Sequence, residues 1–398
     1  MKQSKSRFPR SRTPRTPRNV YLDNAASTLL DPRARVAMRL YGTTYYANPG
    51  AIHTPGRTAA RALEFARETI ARKIGARTHE IIFTSGATES DNLALRGIAE
   101  AAHAQKKHVI TSQIEHAAVL EPAKELKAQG FDVTYLPVDN EGLVNSNDVR
   151  KSITRHTLLV SIMHANNEIG TIEPIEKIGR ICKEAGVPFH TDAAQSFAKV
   201  PIDVERAHVD LLSMSAHKIH GPKGVGALYV REGTPFKAQI LGGGQEFGLR
   251  SGTQNVAGVV GFAKAAEELK PKDIDRMAVL RDYAFKHLLS IPCTRSNGSR
   301  TRRLCNNVNV LFEGVPSGEL LMHLDRAGIA VSTGSACSSL DIKASHVLTA
   351  IGESAEEAHA AIRFSISKFT TKEEIDYAIR RTTQAVDAIR SAHKLMRT

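Results

Sequence analysis

Short apolar runs alternate with helix-like segments between residues 80 and 215. Six runs have the length and alternation of strands: EIIFTSG (80–86), KHVITSQ (107–113), FDVTYLPV (131–138), TLLVSIM (157–163), VPFHTDA (187–193) and VDLLSMS (209–215). Segments of helical periodicity, such as TESDNLALRGIAEAAHAQ and EPIEKIGRICKEAG, separate most of them. Strands that alternate with helices predict a parallel, doubly wound sheet, and therefore an α/β fold.

The pattern changes near residue 267. A long helix is followed by short strands at NNVNVLF and GIAVSTGSA and by a final helix from Thr371, which predicts a smaller α+β domain. We therefore divide the chain into four parts: a basic tail (1–18), an N-terminal segment that joins the small domain (19–27), a large domain (28–265) and a small C-terminal domain (266–398).

Composition excludes several classes of protein. The chain has 398 residues, of which 41% are hydrophobic and 24% charged, as in ordinary soluble enzymes. No apolar run approaches the roughly 18 residues of a membrane span, and the N-terminus has no apolar secretory core. We therefore expect no membrane contact and a cytoplasmic protein. The four cysteines, scattered without a CxxC motif, predict free thiols and neither a disulfide framework nor a metal site.

The first 18 residues carry seven of the basic side chains and no acid, about half of the net charge of +13. Their richness in Ser, Pro and Arg predicts a disordered tail. Three interpretations stay open: a solubilising tail, an electrostatic contact with nucleic acid or an acidic partner, and an organelle-targeting segment.

Three motifs share the predicted carboxyl edge of the sheet, where α/β enzymes keep their chemistry. FTSGATES ends a strand and begins a helix near Thr88, which is a geometry that binds phosphate, although a Thr there can simply cap the helix. VPFHTDAAQS brings Asp192 and Gln195, and this acid could instead be a helix cap or a metal ligand. SAHKIHGPKG brings Lys218, for which a solvated surface lysine is the ordinary alternative.

A phosphate cradle, an acid and a lysine at one edge fit pyridoxal phosphate. The lysine amine forms an imine with the cofactor aldehyde, and the acid keeps the ring nitrogen protonated so that the ring accepts electrons. His116, in TSQIEHAAV, follows another strand and could lie over the ring; a histidine that only starts a helix is the alternative.

Further motifs carry a resemblance to a known family. The motifs resemble, in order and from Val20 to the C-terminus, those of cysteine desulfurases of the NifS/IscS type, which are class-V aminotransferases among the fold type I pyridoxal-phosphate enzymes: YLDNAAST, NPGAIH, FTSGATESDNLA, SQIEHAAV, MHANNEIGT, HTDAAQS, SAHKIHGPKG, GGGQEFGLRSGT, STGSACSS and AIRFSISKFTT. The resemblance implies a large domain with a mainly parallel seven-stranded sheet flanked by helices, and a smaller α+β domain.

The resemblance also implies roles for individual residues in cofactor binding. Lys218 would join the cofactor, Asp192 would face the ring nitrogen, and His116 would stack on the ring and move protons. The other predicted contacts are Asn167 and Gln195 beside the ring hydroxyl, and Ala87, Thr88, Ser215 and His217 around the phosphate. Thr253 would reach the phosphate of a neighbouring subunit, which implies a homodimer.

The resemblance further implies that Cys337 is the sulfur acceptor in a reaction that converts L-cysteine to L-alanine. STGSACSS predicts an exposed loop for it, whereas an inert core thiol is the usual alternative. Arg363 would clamp the substrate carboxylate and Asn24 would add a contact, although Arg363 could be an ordinary surface arginine. The persulfide on Cys337 would then pass to an acceptor protein.

The sequence departs from the family pattern at two places, and the second of them leaves the acceptor protein open. Ala344 stands where relatives usually have proline, and the chain ends at HKLMRT, without a longer C-terminal extension. Iron–sulfur cluster assembly, tRNA thiolation and DNA sulfur modification are all compatible with the motifs. A selenocysteine lyase or cysteine sulfinate desulfinase is the main alternative function, followed by an aminotransferase and by a non-enzymatic scaffold.

Overall fold

The computed structural model describes residues 19–102, 106–333 and 344–395. In these ranges the strands are β1 Val20–Tyr21, β2 Ile81–Thr84, β3 His108–Ser112, β4 Asp132–Leu136, β5 Thr157–Ser161, β6 Phe189–Asp192, β7 Leu211–Ser215, β8 Gly226–Val230, β9 Thr294–Ser296, β10 Asn307–Phe312, β11 Ile329–Ala330 and β12 Ala361–Ser365. The helices are α1 Pro32–Thr43, α2 Thr54–Ile74, α3 Ala87–Ala101, α4 Ala117–Ala128, α5 Ser146–Ser152, α6 Ile175–Ala185, α7 Val256–Glu268, α8 Pro271–Leu288, α9 Ser317–Arg326, α10 His346–Ala350, α11 Ala355–Ala358 and α12 Lys372–Leu395.

The main sheet has seven strands in the order β2-β8-β7-β6-β5-β3-β4. All neighbours are parallel except β8, which is antiparallel to both β2 and β7. The predicted α/β fold and its six sheet strands are confirmed, and β8 is a strand that the pattern did not predict. Residues 216–225, which join β7 to β8, hold only one short 3₁₀ turn at Ala216–Lys218. Without a crossover helix the chain must return antiparallel.

Helices cover both faces of this sheet. On one face, α3 and α4 pack Leu95, Ile98 and Val119 against strand residues such as Ile82. The next residue in β2, Phe83, points into a larger core on the opposite face, to which α2, α6 and α7 contribute. Burial on both sides explains why the strands read as nearly continuous apolar runs.

The C-terminal part has its own antiparallel sheet, β12-β10-β9, accompanied by α8, α9 and α12. β1, at the start of the chain, pairs in parallel with β11. The division into four parts stays a prediction. Within the described ranges, no helix is both long enough and apolar enough to cross a membrane.

Candidate active site

A cavity of about 790 Å³ opens at the carboxyl ends of the parallel strands. Ten of the residues predicted from the sequence line it: Ala87, Thr88, His116, Asn167, Asp192, Gln195, Ser215, His217, Lys218 and Arg363. Of the other three, Asn24 is buried nearby, Thr253 is exposed outside the cavity lining, and Cys337 lies outside the described residues. The structure therefore brings together most of the predicted site, while the role of each residue stays a prediction.

Lys218 is placed by the 3₁₀ turn that follows β7. Its Nζ donates hydrogen bonds to the carbonyl oxygens of Ala25, at 2.5 Å, and Ala26, at 2.9 Å. Gln195 Nε2 donates to the same Ala25 carbonyl at 2.9 Å. The backbone of the N-terminal segment thus fixes the lysine amine and the Gln195 amide next to each other at the cavity wall.

Asp192 ends β6 and is almost fully buried. Its Oδ1 accepts a hydrogen bond from the Ala194 N–H at 2.8 Å. Burial raises the pKa of Asp192, while the Ala194 N–H, the positive charge of Lys218 and the His116 ring in its protonated form act in the opposite direction. Asp192 is therefore a buried acid whose ionised form is supported by one backbone donor and two neighbouring bases.

His116 has two functions at the start of α4. Its Nδ1 accepts a hydrogen bond from the Ala118 N–H at 3.1 Å, so the ring caps the helix. This is the role in helix capping that the sequence offered as the alternative to a cofactor contact. The same ring lines the cavity. Because Nδ1 is the acceptor, the proton of the neutral ring is assigned to Nε2. Burial lowers the pKa of His116, which favours this neutral form near pH 7.

The N-terminus of α3 forms another part of the wall. The helix begins at Ala87, one residue before the predicted start, and Gly86 is its N-cap. The first N–H groups of a helix have no acceptor within the helix, and its dipole favours an anion there. Glu89 secures this turn, because its Oε2 accepts the Ser85 N–H at 2.9 Å and its Oε1 pairs with Arg250 Nε at 2.7 Å.

Arg363 enters the cavity from β12. Its terminal nitrogens donate to the Asn167 carbonyl at 3.0 Å and to Asp23 Oδ1 at 2.9 Å. Its buried Nε has no hydrogen-bond partner within the described ranges. A planar guanidinium in the wall of a cavity suits a carboxylate. Asn24 holds the neighbouring backbone, since its Nδ2 donates to the Ser365 carbonyl at 2.8 Å.

Sequence reasoning missed four acidic or imidazole side chains in or beside the cavity. Asp91, Glu168 and His346 line it, and Glu115 is fully buried beside His116. Glu168 Oε2 accepts a hydrogen bond from Ser345 Oγ at 2.5 Å, and His346 Nε2 lies 3.0 Å from the Glu115 carbonyl. The signal that could have revealed them was an acid next to a motif residue, such as Glu115 before His116 in SQIEHAAV. Acids are seldom buried without a function or a partner.

A second cavity, of about 940 Å³, contains none of the predicted site residues. It lies between the 137–148 loop and the beginning of α6, with His164 and Glu173 in its lining. Across the described ranges, no three His, Cys, Asp or Glu side chains converge as a metal site would require. The 790 Å³ cavity is therefore the candidate active site.

Comparison with known proteins agrees with this site. The family model described as "Aminotransferase class-V" matches residues 20–378. The chain belongs to this family. Its relatives include a protein named cysteine desulfurase IscS from Dictyoglomus turgidum, 48% identical over 94% of this chain and 96% of that protein. Another of the same name, from Methanosarcina thermophila, is 46% identical over 94% of each chain. Within the class-V aminotransferases, the chain is a cysteine desulfurase homologue.

Solved structures show the same architecture. A structure titled "NIFS-LIKE PROTEIN" superposes with a TM-score of 0.87 at 41% identity, over 92% of this chain and 98% of that one. A structure titled "SspA in complex with cysteine" has a TM-score of 0.81 at 40% identity, over 89% of this chain and 100% of that one. The predicted fold type I architecture is therefore confirmed.

Proposed function

We propose that this chain is a pyridoxal-phosphate-dependent cysteine desulfurase that converts L-cysteine to L-alanine and passes the sulfur through Cys337 to an acceptor protein. The observation that carries the proposal is one cavity whose lining joins a fixed lysine amine, a buried acid and an arginine guanidinium. Relatives at 44–48% identity that are named cysteine desulfurases support the choice of reaction.

The side chains present fit the cofactor. The N–H groups of Ala87 and Thr88, with Ser215 and His217, would hold the phosphate, and Lys218 would hold the aldehyde carbon. Asp192 would face the ring nitrogen, His116 the ring plane, and Asn167 and Gln195 the ring hydroxyl. Burial lowers the pKa of His217 to about 4, so its neutral ring can accept or donate one hydrogen bond. When bound, pyridoxal phosphate supplies an electron sink for the carbon from which the substrate loses its proton.

Arg363 would hold the substrate by its carboxylate. Two of its nitrogens are already fixed by Asn167 and Asp23, which orients the guanidinium plane. A carboxylate that binds beside this guanidinium would accept charge-assisted hydrogen bonds from it. The position of the carboxylate, set in this way, would direct the substrate amine and sulfur into the rest of the cavity.

His116 and Lys218 are the groups that can move protons in this cavity. Nδ1 of His116 is occupied by the Ala118 N–H, so Nε2 is the atom that can exchange a proton with the substrate. The Lys218 amine can take the proton from the substrate Cα. In the sulfur step, the Cys337 thiolate forms an S–S bond to the substrate sulfur while the Cβ–S bond breaks. The electron pair of that bond stays with Cβ, which takes a proton, and the return of a proton from the Lys218 amine to Cα completes alanine.

The chain on either side of Cys337 begins at the cavity. Before it, Ser332 and Arg363 exchange backbone hydrogen bonds of 3.1 and 2.7 Å. After it, His346 lines the cavity wall. Cys337 follows Thr333 by four positions, a reach of up to about 14 Å for an extended chain. The covalent connection therefore allows the thiol to approach a substrate held by Arg363.

A homodimer is part of the proposal. Large apolar side chains are exposed around the α1–α2 connection and in the 240–247 loop: Tyr46, Ile52, Leu241 and Phe247 are 79%, 90%, 82% and 54% exposed. Exposed apolar surface of this kind favours an interface. Thr253 is exposed in the same loop region, and Arg250 ties that region to Glu89 at the start of α3. We expect light scattering to give the mass of a dimer, and a monomer at working concentration would contradict the role of Thr253.

The proposal is tested by measuring alanine formed from L-cysteine in the presence of a thiol reductant. Wild type is compared with Cys337→Ser, and Cys293→Ser is the control because Cys293 is an exposed free thiol. We expect wild type and the control to form alanine, and Cys337→Ser to bind cysteine, change the cofactor absorbance and stop. Equal alanine formation by all three would remove Cys337 as the sulfur acceptor.

A further inference from the structure

A second buried aspartate, Asp91, lines the same cavity as Asp192. It lies on α3 and is fully buried. Within the described ranges, neither of its carboxylate oxygens has a hydrogen bond of ordinary distance and angle, and the Ser213 hydroxyl is the one nearby donor that acts on its charge. Burying a carboxylate without donors is very unfavourable, and such a group usually takes up a proton instead.

The nearest basic group does not act as a counter-ion for Asp91. Nε2 of His190 lies 3.5 Å from Asp91 Oδ1. Both ring nitrogens of His190 are already engaged, Nδ1 with Ser161 Oγ at 2.8 Å and Nε2 with Ser213 Oγ at 3.1 Å. Burial also lowers the pKa of His190 to about 3, so the ring is neutral. Asp91 therefore has a polar neighbour but no positive charge to balance its own.

The remaining groups that face Asp91 favour its protonated form. Burial is the largest cause that raises its pKa well above the ordinary value, followed by the negative charge of Asp192. Glu115 adds to this effect, and the Ser213 hydroxyl acts against it. Two carboxyl groups in one buried site cannot both be ionised without a large cost in free energy.

The two aspartates are not equivalent, which decides where the proton lies. Asp192 has a backbone donor at Ala194 and the positive charge of the Lys218 amine nearby. Asp91 has none of these. We propose that Asp91 is a positioning residue that stays a neutral carboxylic acid beside Asp192, so that the one negative charge of this buried pair rests on Asp192. The consequence for the cofactor rests on the proposed function, since Asp192 is the group assigned to its ring nitrogen.

The inference is tested on the full-length holoenzyme with Asp91→Asn, an amide of the same shape that cannot ionise. Glu100→Gln is the matched control, because Glu100 is an exposed acid on the same helix. With aspartate labelled by carbon-13, we expect wild type and Glu100→Gln to show the infrared carbonyl band of a protonated aspartate near pH 7. Asp91→Asn should lack that band, and Asp91→Ser should lack it too, which protects the test if the amide folds poorly.

Alkaline titration gives a second readout that a purely structural role would not move. A folded-state pKa raised above its unfolded value stabilises the protein at low pH, and this stability is lost as the pH rises through the folded-state value. Between the unfolded-state pKa and the folded-state pKa of Asp91, wild type should lose stability relative to Asp91→Asn. The loss should be up to about tenfold in the folding equilibrium constant per pH unit. The cofactor absorbance of wild type should change over the pH range where Asp91 ionises, and Asp91→Asn should lack this transition.

The outcomes separate this inference from the proposed function. A wild-type protein without a protonated-aspartate band, or an identical alkaline titration of wild type and Asp91→Asn, would overturn the inference about Asp91. A protein that takes up no cofactor would instead overturn the proposed function, and the infrared band and the stability comparison would still decide the protonation state of Asp91.

Discussion

Two walls of the active-site cavity are built in different ways. The sheet wall, defined by His116, Asp192 and Lys218, follows directly from the carboxyl ends of β3, β6 and β7. The arginine wall, defined by Glu168, His346 and Arg363, depends on hydrogen bonds between segments far apart in the chain. Asp23 to Arg363 spans 340 residues, and Glu168 to Ser345 spans 177.

Under the proposed function, this difference separates the residues assigned to the chemistry from those assigned to substrate positioning. His116 and Asp192 are anchored by N–H groups two residues further along the chain. Local folding therefore sets their geometry. The arginine wall takes its geometry from assembly of the N-terminal segment, the 163–173 region and β12. We expect changes in the sheet wall to abolish the reaction, and changes in the arginine wall to weaken the use of cysteine while the cofactor stays bound.

The largest effect should follow from Lys218→Ala. Loss of the amine removes both the covalent attachment of the cofactor and a proton acceptor, so alanine formation should fall by at least about a thousandfold. The cofactor absorbance should also lose the form bound to lysine. Lys237→Ala, which changes an exposed lysine that pairs with Glu100, should retain both properties. Alanine formation within tenfold of wild type would contradict the role of Lys218.

A smaller effect should follow from Arg363→Lys. Lysine retains the charge but lacks the planar, forked guanidinium. Because a hydrogen bond to a charged group contributes about 1.5–3 kcal/mol, kcat/KM for L-cysteine should fall roughly 10- to 100-fold. Most of the change should appear in KM, with cofactor absorbance intact. Arg206→Lys, at an exposed pair with Glu176, is the control. An unchanged KM would remove Arg363 from substrate binding.

Asp23→Asn tests whether the arginine wall depends on its distant partner. The amide can still accept one hydrogen bond from Arg363 but carries no charge, so we expect kcat/KM to fall by roughly three- to tenfold, mainly through KM. Asp282→Asn, which changes an exposed acid paired with Arg281, should leave the kinetics unchanged. A loss of kcat as large as that of Lys218→Ala would show that the two walls are not separable.

The smallest effect on the reaction should follow from deletion of residues 1–18. This segment precedes β1 and contributes none of the predicted site residues, so alanine formation should stay within about twofold of wild type. If the tail contacts nucleic acid, the deletion should abolish a salt-sensitive gel shift that the full chain gives. A shift that persists after the deletion would end the nucleic-acid interpretation of the tail.

Sequence reasoning succeeded where the structure is local. Short apolar runs predicted the strands from β2 to β7, and the ends of β2, β3, β5, β6 and β7 each brought a motif residue to the cavity. β8 was missed although its direction could have been inferred from the absence of a helical segment after Ser215. The neighbourhood of Asp91, Asp192 and His190 could not be read from spacing, because it depends on how α3 packs across the sheet. The same applies to Asp23 and Arg363.

The proposed function depends on the transfer of sulfur from L-cysteine to Cys337. The most direct measurement is mass spectrometry of the peptide that contains Cys337, after the holoenzyme has reacted with L-cysteine carrying isotopically labelled sulfur in the absence of reductant. We expect Cys337 of the wild-type protein to carry one labelled sulfur atom that a thiol releases. Cys337 of the Lys218→Ala variant should carry none. Alanine formation with no labelled sulfur on Cys337, or with the label on Cys293 instead, would contradict the proposed function.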